Sequence, residues 1–143
     1  MKVLLSIKPK YVDEIIKGNK KYEFRKTDFK RKKELKEVYI YSTSPVKKIV
    51  GYFEFEKIIK DHPNVLWENY KEFSGIDEEE FFQYYEGRNN GFAIKIGRLK
   101  LFEEPIDPKT AFPNFTAPQS FRYFEEMSSE QISIEQFNIV SSK

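Results

Sequence analysis

The apolar residues of this chain repeat every second position, then every third or fourth, then every second again, with proline and glycine standing at the changes. Val3, Leu5 and Ile7 alternate with Leu4, Ser6 and Lys8, the pattern of a strand with one apolar and one mixed face. Pro9 follows where a helix favours its first residue. Val12, Ile15 and Ile16 continue at helical spacing to Gly18, which can close the helix in a left-handed conformation. Tyr22 and Phe24 then alternate with Lys21, Glu23 and Arg25, a second strand with one apolar and one charged face. Phe29 to Lys36 reads as a basic loop. Val38-Tyr39-Ile40-Tyr41 is a third strand, closed by the turn-prone Ser42-Thr43-Ser44-Pro45.

Lys48 to Ile58 reads as a long strand with Ile49, Phe53 and Phe55 on one side, and Gly51 marks a bend or a close backbone approach. Two helices are expected next. Leu66, Trp67, Tyr70 and Phe73 mark the first, from Pro63. The second starts at Asp77, with Glu80 completing a capping box, and ends at Gly87. Phe92, Ile94 and Ile96 mark a further strand that runs on through Leu99 and Leu101. Residues 105–118 are interrupted by proline and read as irregular. Ser128 and Gln131 form a second capping box, ahead of a helical segment carrying Ile132, Ile134, Phe137 and Val140. Runs of strands with helices set apart define an α+β class, and strands this short commonly close into a small barrel.

The length, 143 residues, suits one domain able to bury a core without metal or disulfide support. The chain has no cysteine, which excludes a disulfide framework, a thiolate metal site and a cysteine nucleophile, and suits the cytoplasm. Neither a membrane-spanning run nor a signal peptide is expected, since Lys2 and Lys8 bracket a short apolar stretch. Net charge is only +2, from 25 basic and 23 acidic residues. Its distribution says more: residues 17–36 hold ten Lys/Arg against three Asp/Glu, whereas residues 76–86 hold five acids and no base. One end of the molecule is therefore basic and the other acidic.

Catalytic vocabulary is sparse. His62, the one histidine, sits in Asp61-His62-Pro63-Asn64 and reads as an exposed turn residue. Glu78-Glu79-Glu80 reads as the solvated first turn of a helix rather than a metal site. No cofactor is implied. The informative stretch is Gly18-Asn19-Lys20-Lys21-Tyr22-Glu23-Phe24-Arg25. On a strand, Lys21, Glu23 and Arg25 share one face, with Lys20 at the mouth. An acid among cations stays ionised and holds them in place. Arg25 can grip a phosphate through a bidentate contact or stack on a base, and Glu23 can accept from a base edge or a sugar hydroxyl, but the strand pattern alone favours an exposed face with ordinary ion pairs. Lys30-Arg31-Lys32-Lys33 has two readings, a phosphate track or a solvated loop. The spacing of Trp67, Tyr70, Phe81, Tyr84 and Tyr85 favours core over a stacking platform.

Gly18-x-Lys20-x-x-Glu23-x-Arg25, following Leu5-Ser6-Ile7-Lys8-Pro9 and an amphipathic helix, resembles the signature of the ASCH domain family, in the PUA-like superfamily of small β-barrels. Tyr41-Ser42-Thr43-Ser44-Pro45-Val46, leading into Ile49-Val50-Gly51, resembles that family's middle strands. Gly91-Phe92-Ala93-Ile94-Lys95-Ile96 resembles its late strand, and Ala117-Pro118-Gln119-Ser120-Phe121 the closing motif of a bacterial and phage subgroup. The resemblance implies an ASCH domain over residues 1–124 with a tail over 125–143. It also implies a PUA-like barrel with flanking helices and a helical insertion between strands. A cleft beside the first helix would bind RNA or a nucleotide-like small molecule. Lys20, Glu23 and Arg25 would line it, with Lys8, Ser44 and Ser120 as neighbours. One branch of the family hydrolyses N4-acetylcytidine with a threonine and the motif lysine. Here Glu23 takes the threonine's place, so an enzyme of that kind would use Lys20 and Glu23 as an acid/base pair. Other members cut RNA with a metal ion, for which this sequence offers no ligand cluster.

Overall fold

The computed structural model describes residues 1–127 and the backbone of 137–140. In chain order the elements are β1 (Lys2–Ile7), α1 (Pro9–Lys17), β2 (Tyr22–Arg25), β3 (Glu37–Ser42), β4 (Lys48–Asp61), α2 (Pro63–Tyr70), α3 (Glu78–Tyr84), β5 (Gly91–Ile106), α4 (Pro108–Ala111), β6 (Phe121–Phe124) and β7 (Phe137–Val140). A short 3-10 turn, Lys71–Phe73, continues α2. The strands form one curled sheet in the order β2-β5-β4-β3-β1-β6, with β7 added alongside β5. β1 and β3 run parallel and the other pairings are antiparallel. The curl makes a half-barrel of the α+β class expected from the strand and helix periods.

Two cores sit on the two faces of this sheet. Val3, Leu5 and Ile7 of β1 pack inside with Val12 and Ile15 of α1, Val38, Ile40, Phe53 and Ile94. Leu4 points the other way, into a second cluster with Tyr39, Tyr41, Tyr52, Phe102 and Phe124. The face of β1 expected to be mixed is thus also covered, by α4 and the segment after it. The basic loop after β2 is pinned by Phe29 and Leu35, both buried in the inner core.

Gly51 marks a close approach, as its position in the strand suggests. A Cβ there would lie 2.3 Å from the Lys100 carbonyl oxygen. The β3–β4 register shifts at Ile40/Tyr41 opposite it, and the β4–β5 register shifts between Ile49 and Gly51. The extra residue reverses the inside–outside alternation. Ile49 therefore joins the outer cluster while Phe53 is inside, which corrects the expectation that they share a face.

The insertion between β4 and β5 carries its own core, in which Leu66, Phe81 and Tyr85 are buried against Phe24 and Ala93, with Trp67, Tyr70 and Tyr84 packed on them. Burying each large side chain contributes about 1.5–3 kcal/mol, enough to clamp the insertion onto β2 and β5. His62 caps α2, its Nδ1 accepting from the Asn64 amide at 3.1 Å. Asp77 occupies the N-cap of α3 without a side-chain bond, so the expected capping box does not form. Glu80 turns instead toward α1. The second box, Ser128 and Gln131, lies outside the described residues. Phe137–Val140, read from the sequence as helical, runs as a strand against Leu99–Phe102. None of the described helices is long and apolar enough to cross a membrane.

Candidate functional site

The strand order leaves β2 at one end of the curled sheet and β6 at the other, and the Arg25 side chain of β2 reaches across the seam to Ser6 of β1 and to Ser120 before β6. α1 ends at Gly18, which takes φ +83° and donates its amide to the Ile15 carbonyl, while the Asn19 and Lys20 amides both reach the Glu14 carbonyl. This turn sends the Lys20 side chain beneath the loop that joins the 3-10 turn to α3. Gly75 lies directly over it, at φ +63°, where a Cβ would come within 2.5 Å of the Lys20 Cβ. Lys20 is only 3% exposed, not at the mouth as strand parity suggests. Its Nζ donates to the Ser74 carbonyl at 2.7 Å and lies 3.4 Å from Glu23 Oε1.

Glu23 is shared between two cations. Its Oε2 accepts from Arg25 Nε at 3.0 Å and from Arg25 Nη2 at 2.6 Å, while Oε1 faces Lys20. Arg25 Nη2 also donates to the Ser6 carbonyl at 2.6 Å, and Nη1 reaches Ser120 Oγ at 3.3 Å. The guanidinium therefore spans the seam, from β2 to β1 and to the residue just before β6. Burial pushes the Glu23 carboxyl upward, but Arg25 and Lys20 outweigh it and hold the group below the ordinary carboxylate range. Burial also pulls the Lys20 ammonium below its ordinary value, against the opposing pull of Glu23. The three groups carry one net positive charge, and each has partners inside the protein. Arg25 Nη1 has the longest of the Arg25 contacts, to Ser120, and Arg25 lines the cleft above. A bidentate grip on a phosphate through the Nε edge is not available, because Glu23 occupies that edge.

Above this floor lies a cleft of about 880 Å³. Lys8, exposed at the end of β1, lines its rim, and Ser120 lines its wall. Ser44 does not line it: Ser44 is exposed in the β3–β4 turn, and its neighbour Thr43 faces the cleft instead. Lys21 also departs from the shared face, its Nζ lying 4.4 Å from the centre of the Phe73 ring. The reason is that β2 begins at Tyr22, so strand alternation does not extend to Lys20 and Lys21. Sequence reasoning missed Tyr11, Lys26, Gln83, Arg88 and Gln119, all of which line the cleft, and Tyr84, whose spacing favoured core, lines it as well. Tyr11 was legible as a polar-tipped ring beside an apolar helix stripe; the residues from α3 and beyond were not, since no local pattern says where that helix docks. Lys26 Nζ sits 4.5 Å from the Tyr84 ring centre, and Tyr85 donates its hydroxyl to the Arg25 carbonyl at 2.8 Å. The insertion thus both walls the cleft and fixes its floor.

The end strands of this curled α+β sheet are thus linked through a buried Lys–Glu–Arg cluster. The family model described as the ASCH domain matches residues 5–100, and this chain belongs to the ASCH domain family. It is 27% identical over 135 residues to an "ASCH domain-containing ribonuclease" of Zymomonas mobilis, covering 90% of this chain and 88% of that one. The crystal structure of ASCH from the same organism superposes with a TM-score of 0.78 at 27% identity, over 87% of each chain. A stretch of 88 residues is 30% identical to the large ribosomal subunit protein uL22 of Ureaplasma parvum, covering 62% of this chain and 28% of that longer protein.

Proposed function

We propose that this chain binds RNA or a nucleotide in the seam cleft, with phosphate or a base carbonyl at Arg25 Nη1 and Ser120. The observation that carries this reading is that Arg25, fixed by Glu23, lines a cleft whose other charged residues are mostly cationic. The cleft is lined by Lys8, Lys20, Arg25, Lys26 and Arg88 against only Glu23 and Glu80. Tyr11 and Tyr84, both partly exposed, add aromatic surface beside which a planar base can lie. A site that is cationic, part aromatic and open to solvent suits an anionic, planar guest. Lys20 and Glu23 act here as scaffolding: they hold Arg25 rigid, so little side-chain freedom is lost on binding.

A second reading, cleavage of RNA, draws on the ribonuclease name of the Zymomonas mobilis relative. Lys20 and Glu23 fit poorly as its acid/base pair. Two cations hold Glu23 ionised, its carboxyl below the ordinary carboxylate range, which makes it a weak base toward water, and Lys20 donates to Ser74. The same pairing speaks against Glu23 attacking an acylated cytidine. Gel analysis of end-labelled RNA, with and without divalent metal, separates cleavage from binding.

The test of binding is a titration of labelled single-stranded RNA at fixed salt. Arg25→Ala is expected to weaken binding by about 1.5–3 kcal/mol, the worth of a charge-assisted hydrogen bond. A circular dichroism melt checks that the variant folds. Unchanged affinity in a folded Arg25→Ala protein contradicts the assignment.

A further inference from the structure

The two ends of the cleft differ in charge, and that difference bears on what kind of ligand fits. On one side Glu80 of α3 reaches across to α1, accepting from Lys10 Nζ at 2.7 Å and from the Tyr11 hydroxyl. This bridge divides the cleft from a second groove of about 530 Å³, where Glu14, Glu72, Asp77 and Glu80 outnumber Lys10 and Lys71. A phosphodiester chain leaving that way would meet a closed contact and then repulsion. On another side Lys26 and Thr27 line the cleft and lead directly into the basic loop.

That loop is built rather than loose. Phe29 is 3% exposed and sits edge-on to Phe121, with ring centres 4.9 Å apart. The Lys30 amide donates to the Tyr123 hydroxyl at 2.7 Å. Phe121 directly follows Ser120 of the cleft wall, so the loop is anchored beside the cleft. Within the loop, Arg31 pairs with Glu34, and Lys32 pairs with Asp28 at 2.8 Å. Lys30 and Lys33 are exposed and have no acid partner among the described residues. Lys30 lies four positions after Lys26, a span of at most about 14 Å, within reach of neighbouring phosphates of one strand.

We infer that the cleft takes one nucleotide of a single-stranded RNA whose chain continues over Lys26, Lys30 and Lys33, rather than a free nucleotide. This rests on the proposed function and narrows its ligand. The anchored loop presents these two exposed cations beside the cleft, and each phosphate they neutralise adds a salt-dependent increment to affinity.

The experiment compares wild type with the Lys30→Gln/Lys33→Gln double variant, using the full chain, in two titrations: a short labelled single-stranded RNA across a salt series, and a nucleoside monophosphate. The variant is expected to bind RNA about tenfold more weakly near 0.1 M salt, with a log–log salt slope smaller by about 1.4. Its affinity for the monophosphate should match wild type. RNA affinity and slope unchanged in the variant, while Arg25→Ala still weakens binding, overturns this inference and leaves the cleft assignment standing. Equal wild-type affinities for RNA and monophosphate also overturn it. A wild type that binds neither overturns both. Both lysines are solvent-exposed, so folding of the variant is not at issue.

Discussion

Glu23 divides its two oxygens between Lys20 and Arg25 inside the protein, and this sharing decides what each of the three can do. The carboxylate cannot be removed cheaply, because its loss leaves two buried cations without a counter-charge. Breaking such a pair costs about 3–5 kcal/mol, and Glu23→Gln is expected to lose stability of that order in urea denaturation. The same geometry sets a pH dependence. Cations hold the folded-state carboxyl below its unfolded value, so the stabilisation is fully present above about pH 4.3 and fades as pH falls through the lower folded-state value. Wild type should therefore lose more stability than Glu23→Gln between neutral pH and pH 3. Parallel acid dependence in the two proteins would contradict an ionised, doubly paired Glu23.

At the scale of elements, the site is made by docking the insertion onto the seam. Gly75 supplies the contact: its positive φ and missing side chain let the backbone rest on Lys20. Gly87 provides the comparison, since its φ of +77° is similar but nothing lies within 4 Å of where its Cβ would be. Gly87→Ala should cost only the backbone strain, about 1 kcal/mol. Gly75→Ala should cost about 1–3 kcal/mol more, because Lys20 or the loop must shift as well. Denaturant melts of the two variants measure the difference, and equal losses would mean that the loop does not bear on Lys20. The elements themselves were largely legible in the sequence. Pro9 and Gly18 bound α1 where the apolar period changes, and β5 runs on past Leu101 as its apolar residues suggested. Local pattern failed where tertiary contact prevailed over it. The displaced register beside Gly51 turned Ile49 to the other face, and Glu80 left the Asp77 cap for Lys10 and Tyr11. Phe137–Val140 found a sheet edge at β5, which helical spacing in the tail cannot anticipate.

For the molecule as a whole, the half-barrel brings together residues that lie far apart in the chain: Ser6, Arg25, Tyr84 and Ser120 around one cleft. The eight-residue motif pointed to Lys20, Glu23 and Arg25 through its resemblance to the ASCH signature, but their inward burial depends on the insertion covering them, which strand alternation alone does not reveal. The asymmetry of charge between residues 17–36 and 76–86 was equally visible in the sequence, and in the fold it becomes a cationic cleft with an acidic groove behind the Glu80 bridge. The most direct test of the central claim is an NMR titration of isotope-labelled protein with a nucleoside monophosphate, following the backbone amides and the Arg25 Nε–H. The account predicts shifts concentrated at Lys8, Arg25, Tyr84 and Ser120. Shifts confined to surfaces away from the cleft, or none at saturating ligand in the folded protein, would contradict it.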